Sequence, residues 1–269
     1  MNRITSQFER LKNEGRRGFI PFVTAGDPDL DTTREIVSAL ASLGADVIEL
    51  GVPFSDPMAD GPTIQASSQR ALTNRVTLGP VLELVADIRR SSKVPIVLFS
   101  YLNPLLRFGI NELAGKAADA GVDGVLITDV VGREAQTIAE VFRQQNIDLI
   151  SLIAPTTSDS RLREIAEKSG GFLYAVSRAG VTGAREQMSS DAEVLVRRAR
   201  EVSDLPVAVG FGISTMEQIK DVWRYADAAV VGSAIVNQIA DANEGNEAGA
   251  VERFVRSILP TFANTVTQT

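Results

Sequence analysis

Short runs of β-branched and aliphatic residues alternate with longer stretches whose apolar positions recur at helical spacing, and this alternation continues down the whole chain. The runs predict eight strands, over Phe19–Thr24, Val47–Leu50, Pro95–Ser100, Gly124–Thr128, Asp148–Ile153, Gly171–Val176, Pro206–Phe211 and Ala228–Val231. Between them, Leu30, Ile36, Val37, Leu40 and Leu43 share one helical face, as do Val81, Leu82, Val85 and Ile88, and later Ile138, Val141 and Phe142. Eight strand-helix units in about 250 residues, with no linker between them, match a closed (β/α)8 TIM barrel by count and size. The expectation is a single domain over residues 1–269, with an extra N-terminal helix and a short helix after the eighth strand. An open doubly wound sheet is the other α/β option, but it more often has a glycine-rich turn after its first strand. Here that turn is Ala25-Gly26-Asp27-Pro28, without GxGxxG spacing.

Composition narrows the chemistry. The 269 residues are 44% hydrophobic and 23% charged, enough for a large core, which excludes disorder and fibre. A net charge of −7 argues against nucleic acid or an anionic membrane as partner. The start, MNRITSQFERL, has a helical pattern and lacks the charged-then-apolar layout of a signal peptide. No apolar run approaches the roughly 18 residues of a membrane span, so a cytoplasmic protein is expected. The chain has no Cys and no His. That removes disulfides, thiol nucleophiles, Ser-His-Asp triads, imidazole acid/base chemistry and most zinc or iron sites. Catalysis is left to Asp, Glu, Tyr, Lys, Arg, Ser/Thr and backbone dipoles, with carboxylate-bound Mg²⁺ as the remaining metal option.

In a barrel of this type the active site lies at the C-terminal ends of the strands. Glu49 sits inside the second strand, in Val47-Ile48-Glu49-Leu50-Gly51. If Ile48 and Leu50 face the helices, alternation turns Glu49 into the barrel, where desolvation raises its pKa toward that of a group able both to give and to take a proton. The ordinary alternative is a buried Glu neutralised by Arg or Lys. Asp60, between Ala59 and Gly61, is a second candidate carboxylate, or else an Asp-Gly turn bonding its own backbone. Asp56, in Ser55-Asp56-Pro57, reads as a turn residue.

Gly210-Phe211-Gly212-Ile213-Ser214 and Val231-Gly232-Ser233-Ala234 follow the seventh and eighth strands, where such barrels often hold phosphate on backbone N–H groups and a helix N-terminus. Close strand-helix packing also favours glycine there. Tyr174 can face inward with Glu49, and Phe22 and Phe99 can add apolar wall, or all three can be plain barrel core. Such a pocket suits a flat apolar group joined to a phosphorylated chain. The lysines, at 12, 93, 116, 168 and 220, fall in predicted helices or before strands, which disfavours Schiff-base chemistry.

Three segments carry a family resemblance: PFVTAGDP from Pro21, ELGVPFSDPMADGPTIQ from Glu49, and SRAGVTGAR from Ser177. They closely resemble the tryptophan synthase alpha chain, and the match runs from the first helix to the last. The resemblance implies cleavage of indole-3-glycerol phosphate to indole and glyceraldehyde 3-phosphate, with Glu49 as acid/base catalyst and Asp60 holding the indole N–H. It implies Tyr174, Phe22 and Phe99 around the indole, and Gly183, Gly212, Gly232 and Ser233 on the phosphate. Arg178, Gly180 and Thr182 would belong to a mobile loop, Thr182 closing against Asp60. It implies no cofactor or metal in this chain. The partner would be a pyridoxal-phosphate beta chain in an α2β2 heterotetramer that receives the indole. Two other readings use the same residues: a stand-alone indole-3-glycerol-phosphate lyase, and a non-catalytic activator of the beta chain, against which the intact Glu49 and Asp60 argue. One departure is visible: relatives commonly have proline in the segment written here as Asp129-Val130-Val131-Gly132-Arg133-Glu134.

Overall fold

The structure, a computed structural model, describes residues 2–176, 185–210 and 212–259. Its strands are β1 (Gly18–Thr24), β2 (Ile48–Gly51), β3 (Ile96–Ser100), β4 (Gly124–Ile127), β5 (Asp148–Ile153), β6 (Leu173–Val176), β7 (Val207–Gly210) and β8 (Ala228–Val231). Each pairs in parallel with the next, and β8 returns to β1 to close the barrel predicted from the sequence. One boundary differs for a physical reason. The sixth strand was expected from Gly171, but Gly171 adopts φ +66°, a left-handed conformation that cannot continue a strand, so β6 starts at Leu173.

The helices in chain order are α1 (Arg3–Asn13), α2 (Leu30–Ser42), α3 (Pro62–Thr73), α4 (Leu78–Arg89), α5 (Leu102–Phe108), α6 (Ile110–Ala120), α7 (Gly132–Gln144), α8 (Asp159–Lys168), α9 (Arg185–Arg200), α10 (Met216–Val222), α11 (Ser233–Ala240) and α12 (Glu247–Ile258). The predicted apolar faces are the buried ones: Ile36, Val37 and Leu40 on α2, Val81, Leu82, Val85 and Ile88 on α4, and Ile138 and Phe142 on α7. No helix among the described residues is long and apolar enough to cross a membrane.

Strand alternation divides the core in two. Val23, Ile48, Leu50, Leu98 and Val125 pack against the helices, while Ile20, Val97, Leu126, Ile150 and Phe172 pack together in the barrel interior. Helix α1 closes the N-terminal end of that interior by burying Ile4, Phe8 and Leu11, with the Phe8 ring 5.6 Å from Phe172. Burial of each such side chain stabilises by about 1.5–3 kcal/mol. At the same end Asp46, Asp123 and Asp227 each accept a backbone N–H from a neighbouring strand, from Phe19, Ile96 and Val207, all at 2.9 Å. With this end occupied by structural contacts, the open C-terminal face is left for chemistry.

Candidate active site

Glu49 stands in register with Phe22 of β1 and Val97 of β3, while Ile48 and Leu50 pack into the helix layer. The carboxyl therefore points inward, as alternation predicted, and is 1% exposed. Neither of its oxygens has a hydrogen-bond partner among the described residues, which rules out the neutralising Arg or Lys as their partner there. Burial alone raises its pKa to about 8. At neutral pH a buried carboxyl with that pKa is mostly protonated, a state in which it can deliver a proton and then take one back.

Asp60 lies on the loop between β2 and α3. Gly61 and Pro62 start α3 directly after it, proline suiting a first helical position whose N–H has no helical partner. The loop is held at both ends. Gln65 donates to the Asp60 carbonyl at 2.8 Å, and the Asp60 N–H donates to the Pro57 carbonyl at 3.2 Å. Further along, α3 is clamped to the first strand and its following turn: Ser67 and Thr24 hydroxyls are 2.7 Å apart, and Arg70 makes two bonds to the buried Asp27 carboxylate at 2.7 and 2.8 Å. Burial raises the Asp60 pKa to about 6, and a side-chain hydrogen bond with Tyr101 opposes the rise. Asp56 behaves as the turn residue expected: its carbonyl accepts from Met58 at 3.0 Å, and its exposed carboxylate accepts from Ser55.

Phe22 and Phe99 meet edge to face, with ring centroids 5.3 Å apart and planes at 79°. Two glycines make room for the aromatic wall. A Cβ on Gly51 would stand 2.5 Å from the Phe22 ring, and one on Gly210 would stand 2.2 Å from the Tyr174 hydroxyl. Burial, followed by the negative charges of Glu49 and Asp60, pushes the Tyr174 phenol well above its usual pKa. It therefore stays neutral, and the two carboxylates and this phenol share one electrostatic neighbourhood.

Gly212 is exposed, with φ +61° and open space where a side chain would stand. Gly232 is the N-cap of α11 and supplies no capping side chain, so the first N–H groups of the helix are open to an anion beside the exposed Ser233. All three lie just past β7 and β8, as predicted. Lys12, Lys116, Lys168 and Lys220 lie on helices, and Lys93 precedes β3, so no lysine stands at the C-terminal strand ends. Arg178, Gly180, Thr182, Gly183 and Phe211 lie outside the described residues.

Sequence reasoning missed Tyr101. Its phenol oxygen accepts the Ala59 N–H at 2.8 Å, its ring lies 5.3 Å from that of Phe54, and it is 4% exposed. The available signal was its position, the first residue past the third strand on the face where chemistry is expected. The segment lacking proline has Gly132 at φ +68°, a conformation closed to proline, next to a Val131 that is 70% exposed.

A family model described as tryptophan synthase alpha chain matches residues 8–264. The tryptophan synthase alpha chain of Gluconobacter oxydans is 47% identical over 260 residues, 96% of each chain. Among solved structures, the alpha subunit from Legionella pneumophila aligns with a TM-score of 0.89 at 36% identity, covering 96% of this chain and 97% of that one. A chain of the a2b2 complex from Pyrococcus furiosus aligns at 0.83 and 42% identity, covering 90% and 97%.

Proposed function

The chain belongs to the tryptophan synthase alpha chain family, and from that premise we propose how its own residues cleave indole-3-glycerol phosphate to indole and glyceraldehyde 3-phosphate. Retro-aldol cleavage needs a place for the electrons of the breaking C–C bond, and the indole ring offers one once its C3 is protonated. Glu49, protonated and without a competing partner, delivers that proton and leaves an iminium at the ring nitrogen. The resulting Glu49 carboxylate then takes the side-chain hydroxyl proton, the C–C bond breaks as the aldehyde carbonyl forms, and its electron pair restores the indole. Protons balance, and one residue serves both steps.

Asp60 accepts the indole N–H and opposes the positive charge that develops there, an effect that is strongest where water is excluded. Phe22, Phe99 and Tyr174 form the walls around the ring, with Gly51 and Gly210 giving those side chains space. Gly212, Gly232, Ser233 and the N-terminus of α11 hold the phosphate, joined by Gly183, with Arg178, Gly180 and Thr182 on the loop that closes the site. This chemistry requires no metal or cofactor in the chain, because the substrate's ring is the electron sink.

The partner in this reading is a pyridoxal-phosphate beta chain in an α2β2 assembly that takes the released indole, in the cytoplasm. The likeness to a chain of such a complex supports it. So do three exposed apolar side chains, Met58 at 92%, Val131 at 70% and Leu106 at 53%, on segments following β2, β4 and β3. The observation that carries the mechanism is the buried, unpartnered Glu49. The experiment is indole release from indole-3-glycerol phosphate, with and without beta chain. Activation by the beta chain is expected, and full activity without it would favour the stand-alone lyase.

A further inference from the structure

The loop from β2 carries Asp60 directly into α3, a helix that hydrophobic burial holds only weakly. Its buried residues are Ser67, Ser68 and Ala71, whereas α2 buries Ile36, Val37 and Leu40. Such small side chains take little apolar area out of water, so polar contacts have to hold the helix in place. Two of them stand one turn apart on the side facing β1 and the turn after it. The Ser67 hydroxyl donates to the Ile64 carbonyl at 2.8 Å, so in its 2.7 Å contact with Thr24 the threonine is the donor. Three residues on, Arg70 donates from Nε and Nη2 to the two carboxylate oxygens of Asp27, at 2.7 and 2.8 Å. Thr24, Ser67 and Asp27 are all buried. Thr24 lies in register with Gly51, and Phe22, two residues earlier on the same strand, lies in register with Glu49. The helix that follows Asp60 is therefore fastened to the strand beside Glu49, and Gln65 of that helix holds the Asp60 carbonyl at 2.8 Å.

We propose that Asp27 and Arg70 are positioning residues for the cleavage: their two-bond ion pair fixes α3 on β1 and thereby sets where the Asp60 carboxylate stands relative to Glu49 and the indole. The proposal rests on the reading of Asp60 given above. The pair touches no reacting atom and acts through the backbone of α3. The contact between Thr24 and Ser67 alone would let the helix pivot, and the planar, charge-assisted fork of Arg70 on Asp27 removes that freedom.

The test compares a pair variant, Asp27→Asn with Arg70→Met, against Asp60→Asn and the combination of all three changes. Each is measured in complex with the beta chain by indole release from indole-3-glycerol phosphate. Changing both partners together leaves no unpaired charge buried. The pair variant is expected to lower kcat about tenfold, less than the roughly 100-fold loss that a misplacement of about 1 Å can bring. KM and inhibition by glycerol phosphate should stay close to wild type, because the phosphate end is held on the far side of the pocket by the turns after β7 and β8. In the Asp60→Asn background the pair change should cost nothing more. Arg70→Lys, a second variant should the first fold poorly, keeps the charge but loses the fork, and is expected to lower kcat by less, again only where Asp60 is present. An unchanged kcat in the folded variants, with Asp60→Asn impaired, would overturn the proposal alone. So would an equal loss in both backgrounds, the result of a clamp that serves only the fold. A wild-type rate in Asp60→Asn would overturn the reading of Asp60 and the proposal with it.

Discussion

The hydroxyl of Tyr174 occupies the space that any side chain at position 210 would enter: a Cβ there would stand 2.2 Å from the oxygen and 2.7 Å from the ring carbon that bears it. In the function proposed above Tyr174 walls the indole pocket, so a methyl group on the neighbouring strand is expected to act on substrate space. Gly210→Ala is expected to push the phenol toward the indole position and to lower kcat/KM by roughly tenfold or more, the 1–3 kcal/mol scale of overpacking, while the barrel still folds. Circular dichroism and steady-state kinetics on the variant check both parts.

The two carboxylates set opposite limits on pH. Asp60 must be ionised to oppose the charge on the indole nitrogen, so activity should fall as pH drops through about 6. Glu49 must be protonated to act as the acid, so activity should also fall as pH rises through about 8. The expected profile of kcat/KM is a bell with limbs near these values, measured by indole release in buffers of constant ionic strength. Asp60→Asn should lose the acid limb, and a profile flat from pH 5 to 9 would contradict both assignments.

Glu49 also links pH to stability. Its folded pKa is raised above the unfolded value of 4.5, so its protonated form favours the fold below that pH, and this contribution is lost as pH rises through about 8. At roughly 1.4 kcal/mol per pH unit, the loss amounts to several kcal/mol. Urea unfolding of the wild type and of Glu49→Gln should therefore diverge between pH 5 and pH 8, with the variant gaining relative stability as pH rises. Parallel curves would show that Glu49 keeps an ordinary pKa.

The phosphate cradle predicts a change mainly in binding. Ser233→Asp would place a negative charge at the start of α11, where the substrate's phosphate is expected, and should raise KM tenfold or more with a smaller change in kcat. Ser233→Ala should have a milder effect in the same direction. Inhibition by glycerol phosphate, weakened in parallel, checks that the phosphate end is the part affected.

Much of this arrangement was legible in the sequence because it follows from period. The inward turn of Glu49 follows from Ile48 and Leu50 facing the helices, and the strands follow from β-branched runs suited to a parallel sheet buried on both faces. The glycine turns after β7 and β8 could be placed from their strand ends. Tyr101 could not, since its phenol accepts the Ala59 N–H across two segments, those after β3 and β2, which no local pattern encodes. The aspartates at the barrel's N-terminal end were missed for a similar reason: Asp46, Asp123 and Asp227 bond to strands distant in sequence. The early end of the sixth predicted strand failed at Gly171, whose left-handed φ a propensity reading does not anticipate.

The central claim is that the buried, unpartnered Glu49 supplies and recovers the proton on which C–C cleavage depends. The most direct measurement is indole release from indole-3-glycerol phosphate at pH 7 by the wild type and by Glu49→Gln, each in complex with the beta chain. Glutamine keeps the size and shape of the side chain but has no proton to give, so release should slow by about 100-fold or more while inhibition by glycerol phosphate stays unchanged. Equal rates of indole release from the two proteins would contradict the mechanism.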